Sequence, residues 1–481
     1  MYDYVIIGSG IIGSLIAREL SKYEVSVLIL DKENDIASHQ TTANSAIIHS
    51  GHDPKENTLK ARLCVAGNRL YDELEKELNI PLLRTGAFVV AHDEEEEKAL
   101  EELYKRAVNN GVQSIHFISQ KEILEAEPLL SSSITKALSL PSTKVTYPWE
   151  VAISAVSNAI KNGAEFKRNS HVVSIDKING TYRIYLENGE PINTRNIINA
   201  SGVSSDHIAS MIEDDFPLKI TPRRGEYFVL DRKAKDLFKH VIYPIPSKAG
   251  KGVLIVPQVH GNVLLGPTSE NIDEKDEAST TLIGMKKIRH DLLSLSNQIP
   301  YHMIIRTFAG IRASSTYDDF YIQESKINKG FYHVAGIDSP GLTAAPAIAK
   351  YLIEDIIRIN APLKKNFDPM REKPIVFHKL SDDMKIKLIQ EKPKYGNLVC
   401  KCEKITEQEI IDAIHGPVGN DTVKGIKKRA RAGSGLCQGG YCEGQVIKII
   451  ARETNQPLSH INYYQKDTPI LIKETKIHDK N

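Results

Sequence analysis

The chain has 481 residues, too many for one ordinary hydrophobic core, so several domains are expected. Its 62 lysines and arginines nearly cancel its 61 aspartates and glutamates, which argues against a strongly basic, nucleic-acid-binding surface. It opens directly on an apolar strand, so no secretory leader is expected, and no apolar run approaches the roughly 20 residues of a membrane span. A cytoplasmic protein is therefore expected, with any membrane association running through a partner.

Val5-Ile6-Ile7 runs straight into Gly8-Ser9-Gly10-Ile11-Ile12-Gly13, after which Leu15, Ile16 and Leu20 recur at helical spacing. A second apolar run, Val25 to Leu30, stops at Asp31, 18 residues beyond Gly13. The order strand, glycine turn, helix, strand, carboxylate is that of a dinucleotide-binding unit. Gly8 permits the turn, Gly10 lets a pyrophosphate approach the helix N-terminus, and Gly13 lets helix and strand pack closely. Asp31 suits a ribose hydroxyl, so the ligand is FAD or NAD; it disfavours an NADP 2′-phosphate, although Lys32 beside it weakens that exclusion.

Residues 37–51 are small and polar and read as a loop crossing the ligand. Lys60 to Asn79 reads as a helix with Leu63, Leu70, Leu74 and Leu78 on one side and Cys64 as a small core residue. Glu94 to Asn110 is a charged helix with a solvated face, and Pro148-Trp149 opens another that runs to Lys161. Strand-like segments follow at 170–175, Tyr182 to Leu186 and Asn196 to Ile198, the last leading into Asn199-Ala200-Ser201-Gly202. Between Thr221 and Ile322 the pattern turns β-rich, with strands expected at Glu226–Leu230, Gly252–Val256, Val263–Leu265 and Phe320–Ile322, an antiparallel domain over the ligand. Tyr332 to Gly336 returns to a buried strand, and Gly341 to Ile353 to a helix.

The expected architecture is α/β. A discontinuous Rossmann-like domain (about 1–80, 145–215 and 325–375) carries an antiparallel β-rich substrate domain (about 81–144 and 216–324). A lysine- and proline-rich stretch, Pro362 to Pro393, supplies the linker, set at 376–396. A small helical domain (397–455) and a tail (456–481) follow.

Four of the five cysteines crowd into the C-terminal fifth: Cys400 and Cys402, one residue apart, then Cys437 and Cys442 around a glycine-rich turn. In a reducing compartment such clustering points to metal, and four soft thiolates suit zinc or an iron-sulfur cluster. The one-residue gap is short for structural zinc and leans toward [2Fe-2S]. The basic run Lys424 to Arg431 is either a dock for an acidic redox partner or a solvated helix face.

The fingerprint Gly8 to Asp31, the segment Asn44 to His49, Asn199-Ala200-Ser201-Gly202 and Asp338 to Pro346 together resemble the FAD-dependent amine and hydroxy-acid oxidoreductases. That family includes glycerol-3-phosphate dehydrogenases and oxidases, and within it the chain most resembles the bacterial glycerol-3-phosphate oxidases and the similar L-2-hydroxyglutarate oxidases. The cysteine region resembles the bacterioferritin-associated-ferredoxin type of [2Fe-2S] domain, as found fused to the catalytic subunit of anaerobic glycerol-3-phosphate dehydrogenase. The resemblance implies FAD and a [2Fe-2S] cluster held by Cys400, Cys402, Cys437 and Cys442.

It also implies cofactor contacts at Gly8, Gly10, Gly13, Asp31, Lys32, Thr42, Ser45, Val173, Ala200, Gly202, Arg312, Gly336, Ser339, Gly341, Leu342 and Thr343. Substrate contacts are expected at Ser45, His49, Lys251, Arg312 and Ser339, with His49, Lys251 and Arg312 catalytic. An imidazole's intrinsic pKa lies near neutrality, so His49 suits a general base, though it could instead only hydrogen-bond the cofactor or the loop. Arg312 offers a planar fork for phosphate or carboxylate, and Lys251 stands between two glycines; either could be a plain surface cation. Ser339 precedes a helix start whose dipole favours negative charge on a reduced flavin. The expected activity is oxidation of sn-glycerol 3-phosphate to dihydroxyacetone phosphate, with electrons passing singly through the cluster to a redox partner. The rivals are a 2-hydroxy-acid dehydrogenase and a non-catalytic electron-transfer subunit.

Overall fold

Glycine placement explains how the chain begins. In the computed structural model, which describes residues 1–246 and 252–473, the strand Tyr2–Ile7 turns at Gly8 (φ +106°) into the helix Ile11–Leu20. A Cβ on Gly8 would lie 2.6 Å from the carbonyl oxygen of Ala200, and one on Gly13 would lie 1.9 Å from that of Gly8. Only glycine lets the turn and the helix sit this tightly.

Two units emerge, one formed by residues 1–32 and 36–371, the other by 33–35 and 372–481. In the first, Tyr2–Ile7 pairs in parallel with Val27–Leu30 on one side and Ile192–Asn199 on the other, and Val27–Leu30 pairs with Glu165–Lys167. Val5, Ile6, Leu28 and Ile29 are fully buried, as a parallel sheet covered on both faces requires. The outer edge of Ile192–Asn199 is shared. Its first residues take the hairpin strand Thr181–Leu186, and Ile197 to Asn199 take Phe331–Ala335 in parallel. The helices Ile11–Leu20, Pro148–Lys161 and Gly341–Tyr351 pack together over this sheet.

The second sheet of this unit has nine strands among the described residues, centred on the long pair Ile220–Leu230 and Ile304–Ser315. It is antiparallel except where Val241–Tyr243 runs parallel to Ala87–Ala91. Side chains alternate between two cores: Phe88, Val90 and Ile242 join Ile288 and Leu292 of the helix Leu282–Leu295, while Val89 and Tyr243 join Leu100 and Leu103 of Glu94–Asn109. Each fully buried Leu or Ile contributes roughly 1.5–3 kcal/mol.

The strand Tyr321–Glu324 departs from expectation. It pairs antiparallel with Phe331–Ala335 and so joins the dinucleotide sheet, not the antiparallel one. Its apolar residues fit either sheet, and the tight return through 325–330 decides the pairing.

The second unit is built from the helices Asp382–Glu391, Glu407–His415, Val423–Ala430 and Glu443–Thr454 with a short ribbon, Leu398–Cys400 and Ile405–Thr406. Ile410, Ile426, Val446 and Ile450 form its core. Thr406 and Glu409 make a reciprocal capping box at the start of Glu407–His415. The stretch expected as linker therefore holds a helix, Asp382–Glu391. No helix among the described residues is long and apolar enough to cross a membrane.

Candidate active site

A cavity of about 810 Å³ opens in the first unit, lined by the glycine turn, the loop 38–45, the strand residue Arg312 and the start of the helix Gly341–Tyr351. At its dinucleotide end Asp31 is already organised, since Oδ2 accepts hydrogen bonds from the backbone N–H of Ser9 (2.7 Å) and from Ser9 Oγ (2.5 Å). Thr41 Oγ1 accepts from Ile11 N–H at the helix start. A Gly-lined turn backed by the Ala200 carbonyl, an N-terminal helix turn and an oriented carboxylate fit the pyrophosphate and ribose of FAD.

His49 follows the short strand Ile47–Ile48 and is 8% exposed, facing the cavity. Its backbone is held at both ends: its N–H donates to Thr343 Oγ1 (2.9 Å), and its C=O accepts from Asn68 Nδ2 (3.0 Å). Its ring Nδ1 lies 2.9 Å from the hydroxyl of Tyr243.

Arg312 stands opposite Arg223 in the strand pairing and donates from Nη2 to the Thr268 carbonyl (3.3 Å). A Cβ on Gly225 would come within 2.4 Å of that nitrogen, so the guanidinium occupies the space a side chain would fill. An imidazole and a guanidinium facing one cavity beside a dinucleotide cradle can together take a proton and hold an anion.

Gly8, Gly10, Asp31, Lys32, Ser45, Ala200, Gly202, Ser339, Gly341 and Leu342 also line this cavity. Gly13 lies beneath the turn, and Thr343 is fully buried behind His49. Thr42 and Gly336 stand off the lining; Val173 is 46% exposed, and its neighbour Val172 forms the wall instead. Lys251 lies outside the described residues. Tyr243, Gly225 and Ser9 escaped the sequence reading. Ser9 sits inside the fingerprint and its hydroxyl was a usable signal; the other two act across distant strands and leave none.

In the second unit the four thiols form two pairs. Cys402 and Cys437 have sulfurs 3.6 Å apart, and Cys400 hydrogen-bonds Cys442. The Cys400 thiol is lowered to about 6, chiefly by that hydrogen bond and then by backbone N–H groups of Gly433 and Glu403, against the cost of burial. Among the described residues no three His, Cys, Asp or Glu side chains gather to hold a single ion. Two thiol pairs with backbone donors aimed at sulfur supply the four thiolates that a [2Fe-2S] cluster needs.

The nearby basic helix is largely neutralised within its own unit. Lys428 and Arg429 pair with Asp35 at 2.8 and 2.7 Å, and Arg431 pairs with Glu403 at 3.1 Å. Burial raises the Asp35 carboxyl, but the two cations prevail and hold it well below the usual carboxylate range.

Comparison with known proteins finds a family match for each unit. Residues 3–354 match the FAD dependent oxidoreductase family, and residues 398–452 match the BFD-like [2Fe-2S] binding domain. The chain is 42% identical to a glycerol 3-phosphate dehydrogenase of Caloramator mitchellensis over 99% of each protein. It is 29% identical to the mitochondrial L-2-hydroxyglutarate dehydrogenase of Caenorhabditis elegans, over 74% of this chain and 93% of that one. Its fold superposes on the L-alpha-glycerophosphate oxidase of Mycoplasma pneumoniae, solved with FAD bound, with a TM-score of 0.74 at 27% identity, covering 78% of this chain and 99% of that one. The likeness to the Caloramator protein runs through both modules, and the chain belongs to the FAD-dependent oxidoreductase family, with a BFD-like [2Fe-2S] domain at its C-terminal end.

Proposed function

We propose that this protein oxidises sn-glycerol 3-phosphate to dihydroxyacetone phosphate and passes the electrons to a partner protein in the cytoplasm or at the membrane surface. The observation that carries this reading is that His49 and Arg312 line one cavity together with the glycine turn at Gly8 and Gly10. When bound, FAD supplies the acceptor for the two electrons and carbon-bound hydrogen of the alcohol, and the [2Fe-2S] cluster a one-electron exit.

The chain's own residues do the rest. Arg312 holds the phosphate in a charge-assisted contact, with Lys251 as its expected second cation. That anchor turns the secondary hydroxyl toward His49, whose imidazole takes the hydroxyl proton as the carbon is oxidised. Gly8 and Gly10 admit the pyrophosphate, Asp31 receives the ribose, and the start of Gly341–Tyr351 turns its positive end toward the cavity. Cys400, Cys402, Cys437 and Cys442 hold the cluster.

Anaerobic mixing of the yellow protein with substrate tests the reading. Glycerol 3-phosphate should bleach the flavin far faster than L-2-hydroxyglutarate or glycerol. Faster bleaching by the hydroxy acid would reassign the enzyme to 2-hydroxy acids, whose carboxylates the same cations could hold. No bleaching by any substrate, in protein that carries FAD, would leave an electron-transfer subunit.

A further inference from the structure

Tyr243 ends the strand Val241–Tyr243 and brings its hydroxyl to 2.9 Å from His49 Nδ1 across 194 residues of chain. The phenol is 1% exposed. Burial, reinforced by Asp53 and Cys64, drives its ionisation well above the ordinary tyrosine value, so the group stays an O–H at any working pH. His52 meets the Tyr243 ring edge-on at 5.5 Å, and His52 Nδ1 lies 3.0 Å from Ser50 Oγ. The His49 backbone is tied to Thr343 and Asn68, and the Tyr243 contact acts on the ring itself.

We propose that Tyr243 is the positioning residue of His49. Its hydroxyl engages Nδ1, so proton exchange with substrate falls to Nε2. When Nε2 takes the substrate's hydroxyl proton, the ring becomes imidazolium, and Nδ1–H donates to the Tyr243 oxygen. No proton leaves through Tyr243.

The inference rests on His49 acting as base, and the chemistry of the partner matters. A carboxylate at this position would raise the imidazole's affinity for protons by its charge and leave the ring protonated near neutrality. A neutral phenol orients the ring without that penalty. Among the described residues the ionisable groups around this contact include Asp53, His52 and Cys64, and the Lys144–Asp72 pair, which reaches His49 through Asn68. Arg312 lines the same cavity. All remain in a Tyr243→Phe variant, which removes one oxygen and keeps the packed ring.

The test uses full-length, FAD-loaded protein. In Tyr243→Phe, flavin reduction at saturating substrate should slow about tenfold, the loss of roughly one hydrogen bond's worth of orientation. The concentration of substrate giving half the maximal rate should not change, because Arg312 is untouched. The acid limb of the rate profile should move down by about half a pH unit or more, since imidazolium loses the acceptor of its charge-assisted bond. In a His49→Ala background the same change should add nothing.

A second measurement needs neither substrate nor turnover. In ¹⁵N-histidine-labelled protein, the ring signals that disappear in His49→Ala should be those shifted by Tyr243→Phe. Additive rate losses in the double variant, an unmoved pH profile, or unshifted His49 signals would overturn the role of Tyr243. Should the wild-type flavin respond to a 2-hydroxy acid in place of glycerol 3-phosphate, only the substrate assignment falls, and the same comparisons made with that acid still judge Tyr243.

Discussion

The guanidinium of Arg312 lies over Gly225 on the neighbouring strand, where an added methyl group would stand 2.4 Å from Nη2 and 3.0 Å from Cζ. The contact makes Gly225 a silent partner of the anion site. Gly225→Ala should push the guanidinium out of place without straining the backbone, because the residue is extended strand within Ile220–Leu230. Steady-state kinetics should show a raised KM for glycerol 3-phosphate with little change in kcat. Arg312→Ala should raise KM further, by about 10–100-fold, as expected for losing a charge-assisted contact worth roughly 1.5–3 kcal/mol. An unchanged KM in both variants would remove Arg312 from substrate binding.

His49→Ala removes the base while leaving Arg312 intact. Flavin reduction at saturating substrate should slow by about 10²–10⁴-fold, the usual worth of general-base catalysis. Rapid-mixing spectroscopy reads this directly. A wild-type rate would confine His49 to a structural role and send the search for a base elsewhere along the cavity.

These two sites show what a linear sequence discloses. The turn Gly8–Gly13 and Asp31 were legible because the chemistry of a pyrophosphate cradle is local, fixed by spacing along one strand-helix-strand unit. The loop around His49 and the cation at Arg312 could be named as candidates, but not what holds them. Tyr243 reaches His49, and Gly225 makes room for Arg312, only through strand pairings whose partners lie far apart in sequence or on separate strands. The strand Tyr321–Glu324 illustrates the same limit, since alternation reveals a strand and not the sheet it joins. The four cysteines were legible as a set. Their nested pairing, Cys402 with Cys437 inside Cys400 with Cys442, needed the fold of the glycine-rich turn.

Acid should loosen the floor of the active site. Lys144 is only 6% exposed and pairs with Asp72 at 2.7 Å while donating to the Asn68 carbonyl, and Asn68 in turn holds His49. Burial raises the Asp72 carboxyl, but hydrogen bonding and charge from Lys144 and Arg84 outweigh it and set the folded value below the ordinary one. The sign follows: a depressed carboxylate contributes stability that is present above its unfolded pKa, about 4, and is lost as pH falls through the lower folded value. Asp72 is half-exposed, so screening keeps the contribution to about 1 kcal/mol or less. Thermal melts should show Asp72→Asn less stable than wild type at pH 7, with the gap closing below about pH 4. A gap that persists undiminished into acid would mean that packing, not charge, accounts for it.

The last prediction concerns the C-terminal unit, where a dehydrogenase parts from an oxidase. A flavin that hands its electrons to oxygen needs no one-electron relay, yet this chain carries two thiol pairs with backbone N–H groups directed at sulfur. Protein assembled anaerobically should contain about two irons and two sulfides per FAD, as the cluster type dictates. Cys402 and Cys437 are partly exposed whereas Cys400 and Cys442 are 1% exposed, so the first pair can be altered with the smaller disturbance to the core. Cys437→Ser should lower iron content and impair electron delivery to an external one-electron acceptor. Anaerobic flavin bleaching by glycerol 3-phosphate should remain near the wild-type rate, because that chemistry uses residues of the other unit. Isolation with one tightly bound zinc and no iron would turn the domain into a structural module and make oxygen the destination of the electrons. Loss of flavin bleaching in Cys437→Ser protein that still holds FAD would instead tie the thiols to the substrate reaction itself, contrary to the division of labour drawn above.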